Sequence, residues 1–180
     1  SEGHQDRERL QTSLRRTALK YDRAGDAHYD TISALHKSIR GSDPDAALYW
    51  LARMVAGGDD PLFIARRLIV CASEDCCSAE MLNLATATYR ACEIVGLPEC
   101  GINLSHCVVT LAECPKSTRS YRAWKKALSK VASDYNYPVP LHIRNAPTRL
   151  MKELGYSAMY RYEPSFAHPV YQEFFPPELH

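Results

Sequence analysis

The sequence predicts an all-α fold, a multi-helix bundle followed by an extended aromatic C-terminal tail, and three observations carry that reading. Apolar residues recur at helical spacing through most of the chain. The connections between these segments are a few residues long and are marked by Asp-Pro, Ser or Gly. No stretch alternates at period two or carries a hairpin turn. The 180 residues are 46% hydrophobic and 24% charged, with a net charge of +1, which excludes a disordered chain, a collagen-like chain and a strongly basic nucleic-acid coat. The length suits one domain or a domain and a half. No apolar run reaches the roughly 18 residues of a membrane helix, and no basic-then-apolar leader opens the chain. It reads as soluble and intracellular, with no membrane partner. Residues 1–5 have no periodicity and read as a disordered end or a cloning scar.

The elements follow in order. Asp26 to Arg40 is amphipathic and stops at Gly41, a natural residue for the left-handed position after a helix. Asp43-Pro44 is a cap followed by a first-turn proline, opening a helix through Leu48, Trp50, Leu51 and Val55 that ends at Gly57-Gly58. Asp60-Pro61 repeats the signal and opens a helix to about Ser73. Ser78 caps a helix to Val95, closed by Gly96. Pro98 starts the next, which Pro115 ends. Ser117 to Asp134 forms another, and 147–153 a short last one closed by Gly155. Between them, Tyr135-Asn136-Tyr137-Pro138-Val139-Pro140 reads as extended, because each proline disfavours the helical region for its predecessor. The helical domain is placed at 26–162 and the tail at 163–180. The rings of Tyr156, Tyr160, Tyr162, Phe166, Tyr171, Phe174 and Phe175 are too many to leave in water, so the tail is expected to lie across the domain or a neighbour.

Two helices share one apolar spacing. Met81, Ala85, Thr88, Cys92 and Val95 fall at offsets 0, 4, 7, 11 and 14, and so do Cys100, Leu104, Cys107, Leu111 and Cys114. Each set covers a stripe about 80° wide at 100° per residue, a seam for helices packed nearly in line. The second helix also carries Ile102, Val108 and Val109 off that stripe. A helix apolar on two sides is either central in its own domain or sandwiched at a subunit contact. Cys100, Leu104, Cys107 and Leu111 are therefore candidates both for the monomer core and for an oligomer interface.

The near-zero charge conceals segregation. Residues 41–115 carry 4 basic and 10 acidic groups, whereas residues 116–161 carry 10 basic and 2 acidic. In the helix at 117–134, Tyr121, Trp124, Leu128 and Val131 share one face, and Arg119, Arg122, Lys126 and Lys130 line the other. With Lys116, these cations either meet acidic neighbours and water or contact a phosphate backbone.

Recognised chemistry is absent from the sequence. It has no G-x-x-x-x-G-K-[ST] loop, no G-x-G-x-x-G, no G-x-S-x-G and no H-E-x-x-H. Seven cysteines, an odd number without a C-x-x-C pair, read as reduced and mostly buried thiols rather than a disulfide framework or a zinc site. Asp22, Asp26 and Asp30 read as helix-start acidity. His28 and His36 lie too far apart to chelate one ion. Glu74-Asp75 read as internal ion pairing at a helix end.

Longer strings carry a resemblance. YDRAGD at 21–26, ISALHKSIRGSDPD at 32–45, ALYWLARM at 47–54, DPLFIARRL at 60–68, ASED at 72–75, GLPEC at 96–100 and VPLHIRNAPTRLMKELGY at 139–156 resemble the RarA/MgsA family of AAA+ ATPases, the Werner helicase-interacting protein group. Two loops depart from its pattern. Cys76-Cys77-Ser78 replaces an apolar, glycine-containing loop, and Ser157-Ala158-Met159 replaces a glycine-containing turn. The resemblance implies the C-terminal region of such a protein, related to clamp-loader collars, with residues 1–25 as the end of the AAA+ lid and its linker. It implies an oligomerisation domain forming homotetramers or larger assemblies, working at replication forks with DNA, and with helicases or polymerases as further partners. No catalysis or cofactor is expected of residues 1–180; ATP and Mg would be bound by an upstream domain of a DNA-dependent ATPase. The GLPEC string and the cysteine usage lean to a eukaryotic, nuclear member, a bacterial one working in the cytoplasm at the nucleoid.

Overall fold

The computed structural model describes the backbone of residues 2–22 and 26–179, and the side chains of 5–15 and 29–179. The YDRAGD string and the side chains of Asp22, Asp26 and His28 therefore lie at least partly outside the described residues. The elements are α1 (Glu2–Asp22), α2 (Asp26–Arg40), α3 (Pro44–Gly57), α4 (Pro61–Cys71), α5 (Ala79–Val95), α6 (Cys100–Glu113), α7 (Arg119–Ser133) and α8 (Arg149–Glu153), with short 3-10 turns at Leu141–Ile143, Glu163–Ser165 and Pro177–Leu179. No strand occurs among the described residues. Helix α1 is the element that sequence reasoning missed, and it begins at Glu2 within the stretch read as irregular. Its apolar residues are sparse, and Leu10 and Leu14 stay exposed, so no stripe announced it.

The caps act as their residues require. Asp43 accepts a hydrogen bond from the Ala46 N–H at 2.9 Å and Asp60 from that of Leu62 at 2.9 Å, each satisfying a donor that has no helical partner. Pro44 and Pro61 occupy first-turn positions where no N–H is needed. Gly58 closes α3 at φ 85°. At the end of α2 the left-handed residue is Ser42, φ 58°, and not Gly41. Glycine at 41 has a different advantage: a Cβ there would stand 3.1 Å from the Lys37 carbonyl oxygen, a tight contact that glycine avoids. Helix α6 starts at Cys100, two residues after Pro98, which lies in a turn. A π-helical turn at Ala72–Cys76 extends α4, a widening that periodicity does not reveal.

The described contacts fall into two compact units, 1–126 and 127–180, dividing within α7. In the first unit α6 is central, packing on α2, α3, α4 and α5. Leu35 and Ile39 from α2, Met54 from α3, Ile64 and Leu68 from α4, and Leu104, Val108 and Leu111 from α6 are essentially inaccessible to solvent. In the second unit no described residue is buried. There residues 135–140 form neither helix nor strand, and the expected extended connection is interrupted by a tight turn in which the Tyr137 N–H donates to the Tyr135 carbonyl at 2.9 Å. Helix α8 starts on Thr148, whose hydroxyl accepts from the Met151 N–H at 3.2 Å. Among the described residues no helix is long and apolar enough to cross a membrane.

Candidate functional site

The seam residues lie inside the first unit. Cys100, Leu104, Cys107 and Leu111 have no exposed surface, and Met81, Ala85, Thr88 and Cys92 are buried with them. Of the two readings open for a helix apolar on two sides, the structure displays the central one: the seam face of α6 is covered by its own chain, with Val108 buried as well. Side chains with no exposed surface have nothing left for a second chain to touch. Ile102 is different, 74% exposed, and Ile94, Val95 and Leu97 around the α5–α6 turn are exposed too.

The cysteines follow the same division. Cys71, Cys76, Cys92, Cys100 and Cys107 are buried, and burial pushes the thiols of Cys107 up to about 11 and of Cys76 and Cys92 up to about 12. Cys77 behaves in the opposite way. A contact with the Ser120 hydroxyl at 2.8 Å, and then one from Arg119 Nε at 3.4 Å, hold its thiol below the usual range.

Glu74 and Asp75 form the expected internal ion pairing, but with a partner 35 residues away. Asp75 is buried in the π turn and accepts from Arg40 Nε at 2.7 Å, and Glu74 lies 3.8 Å from the same guanidinium. Arg66 pairs instead with Asp60 at 3.7 Å. The Asp75 carbonyl also accepts from the Ser117 N–H at 2.6 Å. One short turn thus joins the end of α2 to the segment leading into α7.

The five cations proposed for phosphate contact have different surroundings. Lys116 donates to the carbonyls of Ala112 and Cys114 at 2.8 and 2.6 Å, at the negative end of α6. Arg119 is turned to Cys77, and Lys130 pairs with Asp134 at 2.8 Å. Arg122 and Lys126 have no ion-pair partner among the described residues and face solvent. Lys125, absent from the sequence-based set because it sits at the edge of the basic face, stacks over the Tyr121 ring at 5.1 Å. The opposite face of α7 is apolar and open, with Trp124 63% and Val131 77% exposed. Among the described residues, no three His, Cys, Asp or Glu side chains form a metal-holding group.

This helical chain belongs with the C-terminal regions of AAA+ ATPases, as two family matches show: residues 1–40 match the family described as AAA C-terminal domain. Residues 41–180 match the family described as MgsA AAA+ ATPase C terminal, and the chain belongs to that family. It is 46% identical over 166 residues to the replication-associated recombination protein A of Escherichia coli K12, a match covering 90% of this chain and 37% of that protein. To the protein of the same name from Haemophilus influenzae it is 45% identical over 179 residues, 97% of this chain and 40% of that one. To ATPase WRNIP1 of Dictyostelium discoideum it is 46% identical over 155 residues, 85% of this chain and 18% of that protein. The chain therefore spans less than half the length of each of these relatives.

Proposed function

We propose that these residues form the assembly region of a AAA+ ATPase that maintains DNA at replication forks, joining copies of the ATPase into a homotetramer or larger ring. The observation that carries this reading is the open apolar face of α7, where Tyr121, Trp124, Leu128 and Val131 remain exposed although a helix of this amphipathicity ordinarily covers its apolar side. The names of the relatives, replication-associated recombination protein A and ATPase WRNIP1, support the setting. ATP and Mg would be held by an upstream domain of the full protein. Light scattering at tens of micromolar tests the reading. A multiple of the monomer mass is expected, and Trp124→Glu with Leu128→Glu should return it to a monomer. A monomeric wild type would sink the proposal.

The unpartnered Arg122 and Lys126 favour a second reading, in which the basic face of α7 contacts DNA backbone. Reversing both to Glu should weaken DNA binding and lower the slope of log K against log salt by about 2, one for each lost phosphate contact. Unchanged affinity and slope in a fluorescence anisotropy titration would remove α7 from the interface. The fork setting points to helicases or polymerases as further partners. On this reading the parent protein works in the nucleus of a eukaryote, or in the cytoplasm at the nucleoid of a bacterium.

A further inference from the structure

A cavity of about 240 Å³ lies between α2 and α4, lined in part by Ser33, His36, Lys37, Arg40, Arg67 and Glu74. Positions 33, 36, 37 and 40 are three or four apart on α2 and share one helix face. Arg67 reaches the same space from α4. His36 is only 8% exposed, and its Nε2 is buried without a hydrogen-bond partner, a condition that native interiors rarely leave uncompensated. Among the described residues neither Lys37 nor Arg67 has a carboxylate within ion-pair distance. Glu74 is met by Arg40 at 3.8 Å, so its charge does not face the cavity uncompensated. Counting Asp75 behind Arg40, three cations meet two carboxylates.

We infer that this cavity binds a phosphate group, which accepts from the Lys37 ammonium, the Arg67 guanidinium and the Ser33 hydroxyl beside the buried ring of His36. A tetrahedral oxyanion suits this set because it accepts from several directions at once, and the three groups all donate. The ring beside these donors stays uncharged, because burial, aided by the Arg67 charge, holds His36 down to about 4. Arg40, committed to Asp75 at 2.7 Å, shapes the wall and leaves the direct contacts to Lys37 and Arg67. The site is built from α2 and α4, so it does not depend on the reading of α7.

The test uses the full chain, titrated with inorganic phosphate against chloride at matched ionic strength and followed by the ring resonances of His36 in a ¹H–¹⁵N spectrum. Saturable movement of the His36 signals is expected. Lys37→Ala with Arg67→Ala, both at exposed positions and so compatible with folding, should weaken binding by about tenfold or more. Two further probes identify the source of the phosphate. Stronger binding of a 5′-phosphorylated oligonucleotide than of its 5′-hydroxyl counterpart assigns the site to a strand terminus. Binding of a nucleoside monophosphate no weaker than that oligonucleotide assigns it to a free nucleotide. No movement of the His36 signals with any probe, or an unchanged response in the double variant, overturns the proposal.

Discussion

Residues 29–114 and residues 127–179 are held together by different forces. The first region has a dry interior: α6 lies among α2, α3, α4 and α5, and its Leu104, Cys107, Val108 and Leu111 are fully enclosed. The second region has helices and turns but no buried residue. It is organised by hydrogen bonds. Arg144 donates to the Val139 carbonyl at 2.6 Å and to the Tyr156 hydroxyl at 3.1 Å, and its guanidinium lies 5.0 Å from the Tyr156 ring. Further along, Arg161 and Gln172 exchange two bonds, and the His142 ring meets the Glu173 carbonyl. The tail is thus tied to its own unit, yet Tyr171 is 84% exposed and Phe174 and Phe175 remain open. Backbone and polar bonds can position a segment without covering its rings, because each is formed in exchange for a bond to water and contributes only about 1 kcal/mol. Burial of apolar surface is what the second region lacks.

The sharpest way to break that comparison is to remove matched groups from each side. Leu104→Ala should cost about 3 to 4 kcal/mol in chemical denaturation, since a leucine enclosed on all sides leaves a cavity that collapses only in part. Arg144→Ala should cost about 1 kcal/mol and release only the amides of 139–156 to hydrogen exchange. Equal losses in the two variants would mean that the second region has more interior than the exposures indicate.

Acidity separates the regions further. His36 sits in the first unit with its pKa lowered to about 4 from 6.5, chiefly by burial, then by Arg67, with Asp75 opposing and Arg40 adding to the depression. The unfolded chain therefore takes up a proton below about pH 6.5 that the folded chain refuses until about pH 4. Stability is unaffected above that window and falls through it as pH drops, by up to about 3 kcal/mol for a shift of this size. Denaturation midpoints between those limits should slope for the wild type and slope less for His36→Gln.

The smallest effect comes from the second region. Ser157 and Met159 take φ of 60° and 66° in the turn after α8, and Cys77 takes 49° at the end of the π turn. A side chain in that region costs about 1 kcal/mol that glycine avoids. Met159→Gly should raise stability by up to about 1 kcal/mol, read as later release of the amides around 155–160. A loss of stability would show that the Met159 side chain contributes contacts despite its exposure.

Much of this was legible in advance wherever the signal was local. Asp43-Pro44, Asp60-Pro61, Ser78 and Gly58 set helix boundaries because a cap depends on atoms two or three residues away. The stripes of α5 and α6 were legible because periodicity is a property of one helix. Helix α1 was not, having too few apolar residues to form a stripe. Neither was the cavity at His36: HKSIR reads as an amphipathic helix until Arg67 arrives from α4.

The sequence by itself determined that the chain is helical, where most of its helices begin and end, and that its positive charge is concentrated after residue 115. These follow from propensities, caps and spacing, which act over a turn or two. Only the tertiary structure decided that the α6 seam is enclosed by its own chain, that Asp75 belongs to Arg40, and which cations of the basic block are already engaged. A stripe shows that a face will be covered but not what covers it. A charged residue acquires its partner from elements brought close by burial, and no spacing along the chain encodes that encounter.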